Sequence, residues 1–197
     1  MRSACAMRCA GFLFAAWAAI LVGCARPPSF TGTVLTPRPA PDFTLTAGDG
    51  RAFWLDSERG KAVILFFGYT HCPDVCPTTL AQLRLVVKAL PAAEQSRVAV
   101  LFVTVDPQRD DPATMQRFVR LFDPRFVGLT GSPDRLAPVL RAYHVFHQRL
   151  PGKTAAGYLV AHTGAVYLID PDGDLRVMHS WQDPPHAIAA DVHALLS

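Results

Sequence analysis

Two cysteines and one histidine carry the chemistry that this sequence can offer. Cys72 and Cys76 stand in Phe66-Phe67-Gly68-Tyr69-Thr70-His71-Cys72-Pro73-Asp74-Val75-Cys76-Pro77, directly after an apolar, strand-like run. His162 follows in Tyr158-Leu159-Val160-Ala161-His162-Thr163, a second strand-like segment that could end beside the thiols. Two soft sulfurs and an imidazole suit copper. The same two thiols, if exported, can also oxidise to a disulfide, so metal binding and thiol–disulfide exchange both stand at this level.

The elements that must position these residues can be read from apolar periodicity. Ala62 to Phe67 and Val98 to Val105 are continuous apolar runs, the pattern of buried parallel strands. Between them Leu80, Leu83, Val86, Val87 and Leu90 recur at helical spacing, with Pro77 suited to the first turn. Asp111-Pro112 and Ser132-Pro133 each pair a capping side chain with a first-turn proline and predict two more helix starts. Tyr158 to His162, Val166 to Ile169 and Leu175 to Met178 read as strands. A last helix after Asp183-Pro184-Pro185 would place Ile188, Val192 and Leu195 on one face. Near the start, Phe43 to Leu45 and Phe53 to Leu55 flank Gly48-Asp49-Gly50 as a hairpin.

This order predicts an α/β, thioredoxin-like fold: a central mixed sheet flanked by helices, with an added N-terminal β-hairpin. The dithiol falls at the first strand-to-helix junction. Amides at a helix N-terminus favour negative charge and so lower a thiol pKa. Whether Cys72 to Cys76 forms a β-turn or a first helical turn, the four-residue offset can bring both sulfurs to one rim.

Composition bounds the rest. The chain has 197 residues, of which 50% are hydrophobic and 18% charged, which fits one globular domain with a sizeable core. Residues 1–23 carry Arg2 and Arg8, no acidic residue, and an apolar stretch from about Ala10 to Val22, the shape of a secretory signal. Leu21-Val22-Gly23-Cys24 is similar to the lipobox of bacterial lipoproteins, which would make Cys24 the lipid-bearing residue. Without Arg2 and Arg8 there remain 17 basic against 16 acidic residues, so no nucleic-acid partner is indicated. Of the five cysteines, Cys5 and Cys9 would leave with the signal, and Cys72 and Cys76 would remain free. The Pro-rich stretch 24–41 reads as an extended, lipid-anchored tether, although Val34 and Leu35 could start a strand packed on the domain. Some 15 residues in polyproline II geometry reach roughly 45 Å. The domain itself is then expected over residues 42–197, held at a membrane of a bacterial cell envelope on its extracytoplasmic side.

The chain resembles the Sco/SenC family, thioredoxin-fold copper proteins that assist assembly of the CuA centre of cytochrome c oxidase. The matching residues are Phe66 to Pro77, the segment Val105-Asp106-Pro107-Gln108-Arg109-Asp110, and Tyr158 to Asp172 with His162 in the place of the family's histidine ligand. The resemblance implies Cys72, Cys76 and His162 as ligands of Cu(I) or Cu(II), Cys72 and Cys76 as a redox-active pair, and no catalytic residue beyond that pair. It implies the CuA-bearing oxidase subunit as partner, with a copper donor and a thiol reductant. Family members often carry an acidic residue just before the histidine. Here that position is Ala161, so ring orientation and partner recognition are where this chain departs from the pattern.

Plainer readings apply to the other polar residues. His71 would point away from Cys72 on an extended chain. His144 and His147 would alternate on a strand from Tyr143 to His147, and His179, His186 and His193 would lie on the surface. Asp106 and Asp110 are explained by capping and turn formation at least as well as by a role at the active face. Phe66, Phe67 and Phe102 are expected in the core.

Overall fold

The computed structural model describes residues 29–154 and 157–197. The expected signal, residues 1–23, and Cys24 lie outside the described residues. Among the described residues no helix is long and apolar enough to cross a membrane.

In chain order the elements are β1 (Thr33–Pro39), β2 (Thr44–Ala47), β3 (Ala52–Trp54), β4 (Ala62–Gly68), α1 (Val75–Ala89), a single turn α2 (Ala92–Gln95), β5 (Val98–Thr104), α3 (Pro112–Arg120), β6 (Val127–Thr130), α4 (Pro133–Ala142), β7 (His147–Thr154), β8 (Gly157–His162), β9 (Ala165–Ile169), β10 (Asp174–Ser180) and α5 (Pro185–Leu196). Eight strands form one mixed sheet in the order β1-β10-β9-β4-β5-β6-β2-β3. Strands β4, β5 and β6 run parallel, whereas β9 lies antiparallel to β4. This is the α/β, thioredoxin-like arrangement expected, with the hairpin β2–β3 added beside β6.

Both central strands are buried on both faces, and this explains their unbroken apolar sequences. Every residue of β4 is buried, and Phe66, Phe67 and Phe102 have no exposed surface. Helix α1 covers this core with Leu80, Leu83, Val86 and Val87, its predicted apolar face.

Several expectations need correction. Part of the stretch 24–41 is not a free tether: β1 pairs antiparallel with β10, with Val34 opposite Val177, so residues 33–39 belong to the sheet. Prolines at an edge strand forfeit few ladder bonds, and so the Pro-rich composition is compatible with pairing. Tyr143 to His147 is not one strand. Tyr143 closes α4 and is buried, His144 takes φ +54°, and β7 begins only at His147. His179 is buried rather than on the surface, because its two ring nitrogens lie 2.8 Å from Asp183 Oδ2 and 2.9 Å from Asp191 Oδ2. His186 and His193 are exposed, as expected. Asp111 caps α3 by accepting the Thr114 amide at 2.6 Å, whereas Ser132 begins α4 without a side-chain bond. On α5, Leu196 rather than Leu195 completes the buried face with Ile188 and Val192.

The strand that carries His162 does not join the large sheet. Strands β7 and β8 form a separate two-stranded ribbon, with His147 opposite His162 and Arg149 opposite Val160.

Candidate metal centre

Cys72 precedes α1, and Cys76 sits in its first turn. Strand β4 delivers the chain to the C-terminal end of the sheet's central strands, Tyr69 and Thr70 carry it outward, and α1 begins at Val75. Cys72 is half-buried and Cys76 buried, and both are free thiols. The Cys76 amide donates to Cys72 Sγ at 3.4 Å, so that sulfur takes the place of a capping oxygen at the helix N-terminus. Cys76 Sγ lies 3.5 Å from His162 Nε2. The ligand atoms of Cys72, Cys76 and His162 all lie within 4.8 Å of one another. Among the described residues this is the one cluster of three such groups able to hold a metal ion.

The tautomer of His162 follows from its surroundings. Nδ1 lies 3.0 Å from the carbonyl oxygen of Thr163, which can only accept, so Nδ1 carries the hydrogen and Nε2 presents its lone pair to the sulfurs. Tyr69 and Phe66 meet the imidazole edge to face, with ring centroids 5.8 and 6.3 Å away. Orientation at this position, where Ala161 supplies no carboxylate, therefore rests on a backbone carbonyl and two aromatic rings.

The two thiols are electrostatically unlike. Cys72 is held well below the ordinary thiol range by the hydrogen bond from the Cys76 thiol; burial opposes this, while the amides of Cys76 and Asp74 reinforce it. Burial, followed by the neighbouring Cys72 sulfur, pushes Cys76 up. The pair thus loses its first proton at Cys72.

The segment Asp106–Asp110 braces both halves of the centre. Its backbone does form the expected turn, with the amides of Arg109 and Asp110 donating to the Asp106 carbonyl. Its side chains do more. Asp110, with no exposed surface, accepts the Thr70 amide at 3.1 Å and the hydroxyls of Thr70 and Thr104 at 2.5 and 2.6 Å. On the other side, Asp106 accepts the Tyr158 hydroxyl at 2.7 Å, and Arg109 donates to the Tyr158 carbonyl at 3.0 Å while lying over its ring. Tyr69 completes the brace by accepting the Val160 amide at 3.1 Å. One turn after β5 therefore grips the loop before Cys72 and the strand before His162.

Sequence reasoning did not find Thr70, Tyr69 or Thr104 as supports. The available signal was Thr104, a polar residue ending an otherwise apolar strand just before two aspartates. His71 stays outside the ligand cluster: it is exposed, and its Nδ1 lies 3.0 Å from Thr70 Oγ1 and 3.8 Å from Asp110 Oδ1. Asp74 occupies the N-cap position of α1 without a side-chain capping bond.

Gly68 allows the close approach on which this geometry depends. A Cβ at Gly68 would stand 2.5 Å from Cys76 Sγ and 2.7 Å from Phe102 Cε2. No larger residue fits there without moving the sulfur.

Comparison with known proteins agrees with the geometry. The SCO1/SenC family model matches residues 33–197. The protein SCO2 homolog, mitochondrial, of Bos taurus is 45% identical over 133 residues, 67% of this chain and 50% of its own length. The chain thus spans about half the length of the mammalian relatives it matches. Among solved structures, apo Sco1 of Thermus thermophilus is 39% identical with TM-score 0.77, covering 85% of this chain and 98% of its own. ScoI of Bradyrhizobium japonicum with copper bound is 38% identical with TM-score 0.71, covering 79% and 98%. With the model match running from β1 to the last residue of the chain, this protein belongs to the SCO1/SenC family.

Proposed function

We propose that this chain is a copper metallochaperone that holds one copper ion through Cys72, Cys76 and His162 and delivers it to the CuA site of cytochrome c oxidase. The observation that carries this reading is the convergence of two sulfurs and an oriented Nε2 within 4.8 Å. Two thiolates and one imidazole form a soft, three-donor set that suits copper and leaves a position through which an acceptor's ligands can enter. Structural zinc sites, by contrast, close with four donors. The copper-bound relative from Bradyrhizobium japonicum supports the choice of metal.

The membrane reading belongs to the same proposal. Residues 1–23 act as a lipoprotein signal, Cys24 bears the lipid, and the Pro-rich residues directly after it tether the folded domain to an envelope membrane near the oxidase. Support comes from Leu21-Val22-Gly23-Cys24 and from the prolines that follow it.

The unlike thiols favour a second reading, thiol–disulfide exchange. The Cys72 thiolate would attack one sulfur of an oxidised acceptor pair and release the other as thiolate; Cys76 would then displace the acceptor sulfur from Cys72. The acceptor ends as a dithiol and this chain as a Cys72–Cys76 disulfide, which an external thiol reductant must restore.

Copper stoichiometry of the full chain, reduced and anaerobic, tests the first reading. One copper per chain is expected, lost in Cys72→Ser, Cys76→Ser and His162→Ala alike. Thiols that titrate in a wild-type chain binding no copper would favour exchange, and exchange activity surviving in His162→Ala would separate the two readings.

A further inference from the structure

The face of the β7–β8 ribbon that carries His162 continues beyond the metal centre into a cavity. Tyr158, Val160 and His162 alternate along β8, while His147 and Arg149 stand directly opposite His162 and Val160. All five therefore project from one face of the ribbon. Past His162 this face encloses a cavity of about 260 Å³, walled by Tyr158 and Val160, floored by Val105, Leu136, Ala137 and Leu140, and edged by His147 and Arg149. Val105, Leu136 and Leu140 of the floor belong to the core, whereas His147 and Arg149 are exposed at the mouth.

Charge at this mouth is one-sided. The Arg149 guanidinium lies 3.3 Å from the Tyr158 ring centroid and reaches Gln108 Oε1 at 3.5 Å, and neither partner carries a charge. The carboxylate in the lining, Asp106, is engaged by the Tyr158 hydroxyl and by Arg109. Among the described residues Arg149 thus has no anionic partner. An apolar pocket under an uncompensated guanidinium complements an apolar group that carries a carboxylate beside it. From Tyr158 to His162 along the strand is roughly 13 Å, so an extended segment of four or five residues links the cavity to the metal centre.

We propose that this cavity is a docking subsite for the protein that exchanges metal with the Cys72–Cys76–His162 centre. An apolar side chain of that partner enters between Val105, Leu136, Leu140 and Val160, and a neighbouring carboxylate pairs with Arg149. The proposal rests on the metal-exchange reading of the centre. It adds a recognition element for the partner: Val160, a wall of the cavity, is two residues from the ligand His162, so one bound segment spans both.

The test has two arms, both with the full chain. In the first, isotope-labelled metal-free protein is titrated with the capped peptide acetyl-Glu-Leu-Asp-amide and followed by NMR. Shifts are expected at Gln108, Leu136 and Val160, with binding weakened about tenfold or more in Arg149→Glu and in the cavity-filling Ala137→Trp, and kept in Arg149→Lys. In the second, copper-loaded protein is mixed with a purified CuA domain of an oxidase subunit, and half-saturation of transfer is expected to rise in Arg149→Glu while copper stoichiometry stays at one. Peptide shifts that miss the cavity, or half-saturation unchanged in Arg149→Glu with normal transfer, would overturn the subsite and leave the chaperone reading intact. A wild-type chain that binds the peptide in the cavity yet gives no copper to the domain would sink the chaperone reading and, with it, the partner named here, while the ligand chemistry of the cavity would stand.

Discussion

His162 Nε2 lies 3.5 Å from Cys76 Sγ, although 86 residues separate them in the chain. The contact exists because β4 and α1 bring the sulfur to the C-terminal end of the central strands while a separate ribbon lowers the imidazole onto it. Such a site depends as much on its braces as on its ligands, and the braces yield specific expectations.

The inequality of the thiols sets the proton count of copper binding. Cys72, with its pKa lowered, is already a thiolate at neutral pH, whereas Cys76, with its pKa raised, must give up a proton to the solvent. Copper binding near neutral pH should therefore release about one proton from the thiol pair, and affinity should rise with pH as Cys76 gives up its proton. Calorimetry in buffers of different ionisation enthalpy measures this; release of about two protons contradicts the assignment. Iodoacetamide should also modify Cys72 in preference to Cys76 in the metal-free protein, and should still do so below the ordinary thiol range.

Asp110→Asn should loosen the loop before Cys72. The substitution weakens the bonds to the Thr70 amide and hydroxyl and to the Thr104 hydroxyl. Loss of such support around ligands typically costs about 10- to 100-fold in metal affinity. Thr70→Val, which removes one of the same bonds from the other end, should lower affinity in the same direction. Affinity unchanged in both variants would reduce Asp110 to a folding role.

Gly68→Ala should damage copper binding out of proportion to stability. Its Cβ would collide with Cys76 Sγ, and overpacking of this kind costs about 1–3 kcal/mol. Gly128→Ala is the control, because its Cβ would meet Met115 at 2.9 Å and none of the three ligand residues. Thermal melts and copper titrations of both should show similar destabilisation, with affinity lost only in Gly68→Ala.

Asp191→Asn should release the start of β1 and leave the centre untouched. Buried Asp191 accepts the amides of Thr31 and Gly32 at 2.8 and 2.9 Å and faces His179. Breaking a buried polar cluster by changing one partner costs about 3–5 kcal/mol. Hydrogen exchange at Thr31 and Gly32 should accelerate while copper stoichiometry holds at one; protection equal to wild type would show that the β1–β10 ladder alone secures this end.

Much of the fold was legible where local sequence and environment agree. The unbroken apolar runs of β4 and β5 marked strands buried on both faces, and the helical spacing from Leu80 to Val87 marked the face of α1. Strand β1 was read only as an alternative to the tether, from Val34 and Leu35, and β6 and β7 were not read, because an edge strand rich in proline, a strand of four residues and a polar ribbon strand lack an apolar period. His179 looked like a surface residue for a similar reason: its two aspartates come from the turn after β10 and from α5, and only folding brings both to one ring.

The sequence by itself determined the three candidate donors and the place of the dithiol at a strand-to-helix junction, since residue type and a four-residue offset are local properties. Tertiary structure decided everything that depends on distance across the chain. It alone brought His162 to Cys76, made Cys72 and Cys76 unlike by burying one more deeply, and turned Asp106 and Asp110 from turn residues into the brace of both halves. The physical reason is that pKa, orientation and bracing depend on burial and on partners tens of residues away, and those are fixed only when the ribbon, the sheet and the helix close on one another.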